Sequence, residues 1–259
     1  MNIKLIYTFL FSFSFFYLSG QIISVNKSCF FNETELLGHI KILSSDLYEG
    51  RRTGTKGAER ARKYIINEFY KLGVLKINKT HQQPFSFIYQ GKEYAGTNVI
   101  GFIEGDTFPN KYIVISAHYD HEGIKNGEIY NGADDNASGL SALFAFAEYF
   151  KKHPPKHSII LAAFDGEELG LQGSKYFVKN PPVNIKNIKL NVNLDMISRS
   201  DKNELFVAGT SDNKSLKYII SNIEQSCNLK IIAGHDGYDG LENYPIYLMI
   251  IHVLTCFIS

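Results

Sequence analysis

The chain has 259 residues, 44% of them hydrophobic and 20% charged, with 27 basic against 26 acidic side chains for a formal net charge of +1. That length and composition suit one sizeable α/β domain with its own core. The near balance of charge gives no electrostatic reason to expect nucleic acid or an anionic membrane as partner.

Residues 1–20 read as a signal peptide. Lys4 supplies a positive start, Leu5 to Leu18 is apolar apart from Thr8, Ser12 and Ser14, and Ser19 and Gly20 are small enough for a cleavage point. A membrane span needs roughly 20 apolar residues, so no stable membrane insertion is expected. Secretion, or export to a periplasm, is the expectation, with the domain itself over 21–259. Cys29, Cys227 and Cys256 are far apart, which argues against a cysteine metal site. Export permits a disulfide, and the odd count leaves its pairing open.

The apolar spacing predicts a helix over Thr34–Ser45 with Thr34 as N-cap, then a loop from Asp46 to Gly57. A second helix is predicted over Ala58–Leu72, ended by Gly73. Thr97–Ile103, Tyr112–Ala117, Ser158–Phe164, Ile188–Asp195, Leu205–Ala208 and Lys230–Ala233 read as strands. Helices are expected over Leu140–Phe150, from Glu168 to Val178, and from about Ser211 or Asp212 to Cys227. The alternation predicts one α/β domain: a mixed, mainly parallel central sheet flanked by helices. Sites in such sheets gather at the carboxyl ends of strands.

Polar residues fall at those ends. Ser116-Ala117-His118-Tyr119-Asp120 runs from an apolar strand into His-x-Asp, a pattern in which an imidazole can face a metal and a carboxylate can orient its ring. Asn131 to Gly139 holds the adjacent pair Asp134 and Asp135, whose mutual repulsion a dication would relieve. Phe164-Asp165-Gly166-Glu167-Glu168 puts three acids after a buried strand; one glutamate can ligate a metal while its neighbour takes a proton from water. Asn193-Leu194-Asp195-Met196 adds one more acid at a strand end. Each piece alone has a bland reading, as a strand-end histidine, acids at a helix N-terminus or a turn aspartate. Together they give one imidazole and three carboxylates from four segments, a donor set that suits zinc.

The segments SAHYDH, NGADDNASG, FDGEELGLQGS and NLDM resemble the co-catalytic zinc aminopeptidase family, and the stretch from Leu43 through Gly50-Arg51 to Gly57 is similar to its N-terminal region. The resemblance covers Leu36 to Cys227. It implies the zinc-exopeptidase three-layer fold and two zinc ions, with His118 and Glu168 as terminal ligands, Asp135 bridging, and Asp195 on the ion opposite Glu168. It further implies Glu167 as general base and Asp120 as partner of His118; Asp134 and Asp165 match no ligand position. The implied activity is hydrolysis of N-terminal peptide bonds in a peptide substrate. Other exopeptidase modes, a dipeptidase or carboxypeptidase, belong to the same pattern, and glutaminyl cyclase is a related fold with a different reaction.

The family also uses a late histidine, after one more strand. Residues 238–259 do not match that pattern: Tyr244–Ser259 is a mostly apolar run, such as a frame slip or a shortened variant gives. His235 and His252 are the late histidines, and neither has the matching context. The expectation is therefore an unfinished sheet edge and a second zinc subsite short of one imidazole. A catalytically impaired zinc-binding domain is the alternative reading.

Overall fold

The computed structural model describes residues 31–209, 216, 218, 220 and 230–233, and the backbone of 252–257. The expected signal segment, Cys29 and Cys227 lie outside them. So does most of the helix expected up to Cys227, of which Leu216, Tyr218 and Ile220 are helical.

Helix α1 (Glu33–Leu43) begins one residue before the expected cap, because Asn32 rather than Thr34 accepts the free N–H groups of the first turn, those of Thr34 and Glu35. Helix α2 (Lys56–Leu72) is capped by Thr55 and closed by Gly73 in the left-handed conformation, φ 75°. Strands β1 (Leu75–Lys76), β2 (Gln82–Tyr89) and β3 (Lys92–Ile103) follow, then β4 (Phe108–His118). A hairpin of β5 (Gly123–Lys125) and β6 (Glu128–Tyr130) stands apart from the main sheet. Helix α3 (Gly139–Lys152), β7 (His157–Phe164), α4 (Gln172–Lys179), β8 (Ile188–Leu194), β9 (Glu204–Ala208), β10 (Lys230–Ala233) and β11 (His252–Phe257) complete the order.

Among the described residues the main sheet runs β1-β3-β7-β4-β8-β11-β9-β10, with β2 also paired to β3. The centre, β7-β4-β8-β11, is parallel. Antiparallel β3 joins one side of it and β9 the other. Alternation along β4 and β7 sends Ile115, Ala117, Ile159, Leu161 and Ala163 to one face, where they pack on α1, α2 and α3. Val114, Ile160, Ala162 and Phe164 point to the other face, against Phe177 of α4. A sheet covered on both faces explains why β4 and β7 read as continuous apolar runs.

Two further expectations are corrected. The helix expected from Glu168 starts only at Gln172, because Gly166, Gly170 and Leu171 take positive φ and fold the acids into a turn first. The expected unfinished sheet edge is not found at β8 among the described residues. Residues 252–257 form β11 between β8 and β9, with Val253 opposite Asn191 and Cys256 opposite Val207. The run His-Val-Leu-Thr-Cys-Phe is short and rich in strand formers, a pattern that periodicity alone does not separate from other apolar segments.

Candidate metal centre

Four segments meet at the carboxyl ends of β4, β7 and β8. His118 is the last residue of β4 and 4% exposed. Its Nδ1 donates to the main-chain oxygen of Asp120 at 3.0 Å, which turns Nε2 toward Asp135 Oδ1 and Asp195 Oδ1, each 3.2 Å away. On the other side of Asp135, Oδ2 lies 3.5 Å from His121 Nδ1, and that nitrogen donates to Glu168 Oε1 at 2.7 Å. Two donor groups result, His118 with Asp135 and Asp195, and His121 with Asp135 and Glu168, each with its donor atoms within 4.8 Å of one another. Asp135 belongs to both.

The elements around the site explain why it is held. Asp135 lies in an irregular turn, Ala133–Ser138, with an extended-type backbone, φ −100° and ψ 96°. Asn136, fully buried, donates to Leu194 O, and its Oδ1 accepts the N–H groups of Gly139 and Met196. Asn136 thus ties the residue after Asp135 to the residues on both sides of Asp195. Ser138 Oγ accepts Ile197 N–H and strengthens the same seam.

Arg51 clamps these loops from beneath. Its guanidinium is fully buried and donates to the main-chain oxygens of Leu43, Tyr119, Asn131 and Gly132 at 2.7–2.8 Å. Burial lowers it to about 10, against the charges of Asp120, Asp135 and Glu168, which hold it up. Arg51 therefore joins the chain leaving β4 to the loop that carries Asp135.

Asp120 does not reach the His118 ring closely with its side chain; the carboxylate is 3.8 Å from Nδ1. Its oxygens accept the N–H groups of Glu167 at 3.0 Å and Glu168 at 3.2 Å. Burial, with the neighbouring charge of Asp165, pushes Asp120 up to about 7. Asp165 is itself a buried anchor, accepting from Thr97 N, Thr53 Oγ1 and Tyr119 Oη. Asp134 turns away and accepts from Ser198.

The electrostatics favour a cation. Burial alone lowers His118, yet hydrogen bonds to Asp135 and Asp195, with the charges of Asp195 and Glu167, hold it well above its ordinary value. Burial raises Glu167, opposed by His118 and reinforced by Asp195, Glu168 and Asp135. The donors also fit zinc. Bonds of about 2.0–2.1 Å at tetrahedral angles set ligand atoms roughly 3.3–3.4 Å apart, close to the 3.2 Å spacings around His118 Nε2.

His118, Asp135, Glu168 and Asp195 converge, with Glu167 and Asp120 beside them. The sequence reading misses His121 and the part played by Arg51. His121 stands within the SAHYDH segment but past the strand end, where alternation no longer says which way a side chain points.

Residues 98–239, more than half of the chain, match the family model of peptidase family M28. The chain belongs to peptidase family M28. The match spans all four segments that meet at the site. A probable zinc metalloprotease of Pyrenophora teres f. teres is 30% identical over 156 residues, 57% of this chain and 32% of that protein. The chain thus spans about a third of the length of the curated relatives of this kind that it matches. Among solved structures, a Zn-dependent exopeptidase from Parabacteroides distasonis superposes with a TM-score of 0.69 at 18% identity, over 88% of this chain and 85% of that one. Porphyromonas gingivalis glutaminyl cyclase gives 0.69 at 16% identity, over 88% and 83%. Both share the fold of this chain, so the fold alone does not separate their reactions.

Proposed function

We propose that this chain is a zinc-dependent exopeptidase, and within that class an aminopeptidase that frees N-terminal residues of peptides. The observation that carries the reading is the shared carboxylate: Asp135 turns Oδ1 toward His118 and Asp195, and Oδ2 toward the Glu168 side. His118, Asp135 and Asp195 would hold one zinc, while Asp135 and Glu168 would hold a second. Bound zinc lowers the pKa of water to about 7 and polarises a carbonyl oxygen.

The chain's own residues do the rest. The Nδ1 hydrogen bond of His118 fixes its ring and leaves Nε2 for the cation. Glu167 is the general base, taking a proton from the attacking water on its carboxylate and giving it to the leaving amine nitrogen. Its raised proton affinity suits both transfers. Asp120 is a positioning residue that fixes the main chain of Glu167 and Glu168. The signal-like residues 1–20 support an exported enzyme acting on peptides outside the cytoplasm.

The test is hydrolysis of leucine p-nitroanilide beside its N-acetylated form, by zinc-replete protein and by protein stripped with a chelator. The free-amine substrate should turn over, the blocked one should not, and stripping should abolish turnover until zinc returns. Turnover that survives complete removal of metal overturns the reading. Conversion of N-terminal glutamine peptides, with no anilide cleavage, moves it to cyclase chemistry.

A further inference from the structure

We infer that His121 is a protein ligand of the second zinc subsite, beside Asp135 and Glu168. The inference rests on the zinc reading above and deepens it.

The two halves of the site are built alike. Asp135 Oδ1 faces a group of one histidine and one carboxylate, His118 with Asp195, and Oδ2 faces another, His121 with Glu168. Zinc sites of three protein ligands use such sets of imidazole and carboxylate donors. The 3.5 Å between His121 Nδ1 and Asp135 Oδ2 is near the tetrahedral edge of roughly 3.3–3.4 Å. The 2.7 Å from His121 Nδ1 to Glu168 Oε1 is shorter, because a ring proton now sits between them. A zinc ion held by Nδ1 would take the place of that proton, and the 2.7 Å hydrogen-bond spacing would give way to that of two ligand atoms.

A second observation shows that the ring is built in. Gly132 takes a left-handed backbone, φ 57°, and a Cβ there would meet first the main-chain oxygen of Asp135, then the His121 ring at 2.6 Å and Arg51 at 2.7 Å. The loop that carries Asp135 thus leaves a side-chain-free place against which His121 lies, only 12% exposed. The bond count also fits: Nδ1 is three bonds from Cα, as an aspartate oxygen would be.

The experiment uses the full chain, stripped of metal and titrated with zinc by calorimetry and with cobalt(II) by visible absorption. Wild type should bind two ions. His121→Ala should keep one and bind the second at least about 10-fold more weakly, with loss of part of the cobalt spectrum. His121→Asp, which returns an oxygen to the Nδ1 position, should restore the second ion, while His121→Asn should not. Circular dichroism of the stripped proteins checks folding; if the alanine variant does not fold, the Asp–Asn pair decides. Two ions with unchanged affinity in His121→Ala, or equal binding by His121→Asp and His121→Asn, overturns the inference and leaves the zinc reading standing. A wild type that binds no zinc, and is indistinguishable in this from His118→Ala, overturns both.

Discussion

Asp120 holds the main chain of Glu167: its Oδ1 accepts the Glu167 N–H at 3.0 Å, and Oδ2 accepts the next N–H, that of Glu168, at 3.2 Å. One buried carboxylate therefore sets two neighbouring glutamates that the proposed chemistry uses differently. In Asp120→Asn, one oxygen becomes an amide nitrogen, and a donor faces a donor at one of the two bonds. We expect a fall in kcat/KM on leucine p-nitroanilide of about 10–100-fold, with weaker zinc binding. Steady-state kinetics beside metal content check it, and an Asp120→Asn variant with wild-type values in both would remove the positioning role.

The two glutamates themselves should separate. Glu168 is hydrogen-bonded to His121 and stands in a candidate donor group, whereas Glu167 does not. Glu167→Ala should therefore keep its zinc and lose a factor on the order of 10²–10⁴ in kcat. Glu168→Ala should lose metal before any kinetic comparison is made. Elemental analysis of both purified variants decides, and equal zinc loss contradicts the assignment.

Much of this site is legible in the sequence because the parallel centre of the sheet places its polar residues at strand ends. Apolar β4 and β7 run straight into His118 and Asp165, and β8 into Asp195. What the sequence hides depends on geometry beyond the strand. His121 follows the end of β4, and Arg51 is an ordinary cation in a Gly-rich loop until the fold buries it among carbonyl oxygens. Strand β2 carries Pro84, which reads against a strand, but β2 pairs only with β3 among the described residues, and an outer strand tolerates proline. Asn32 displaces Thr34 as cap, a difference of two residues that spacing does not resolve.

Arg51 should be a stability determinant more than a contact of the substrate. Its donors satisfy four buried or half-buried main-chain oxygens. Arg51→Met keeps much of the apolar stem and removes every one of those bonds, leaving the carbonyls unpartnered. Hydrogen bonds from charged donors contribute about 1.5–3 kcal/mol each and are not additive, so a loss on the order of 3–5 kcal/mol is expected. Urea unfolding of the stripped protein measures it without the contribution of metal binding. A loss below about 1 kcal/mol would show that water or a rearranged loop replaces the clamp.

His81, which belongs to neither donor group of the metal centre, gives a pH dependence of its own. It is 4% exposed, donates from Nδ1 to Ile100 O at 3.1 Å, and lies edge-on to Phe69 at 5.8 Å between ring centres. Burial lowers its proton affinity, with the Ile100 hydrogen bond opposing and Lys76 adding to the shift. In the unfolded chain the same ring titrates near its ordinary value of about 6.5. Between the lowered folded value and about 6.5, the unfolded chain therefore binds more protons than the native protein, and stability must fall as pH falls through that window. His81→Gln retains a donor for Ile100 but nothing that titrates. The fall in melting temperature from about pH 7.5 to about pH 5.5 should be smaller in this variant than in wild type. Taking the difference between the two proteins at each pH cancels groups distant from His81, including those of the metal centre. An equal fall in both would mean that His81 titrates alike in the folded and unfolded chain, and that its burial leaves it open to water.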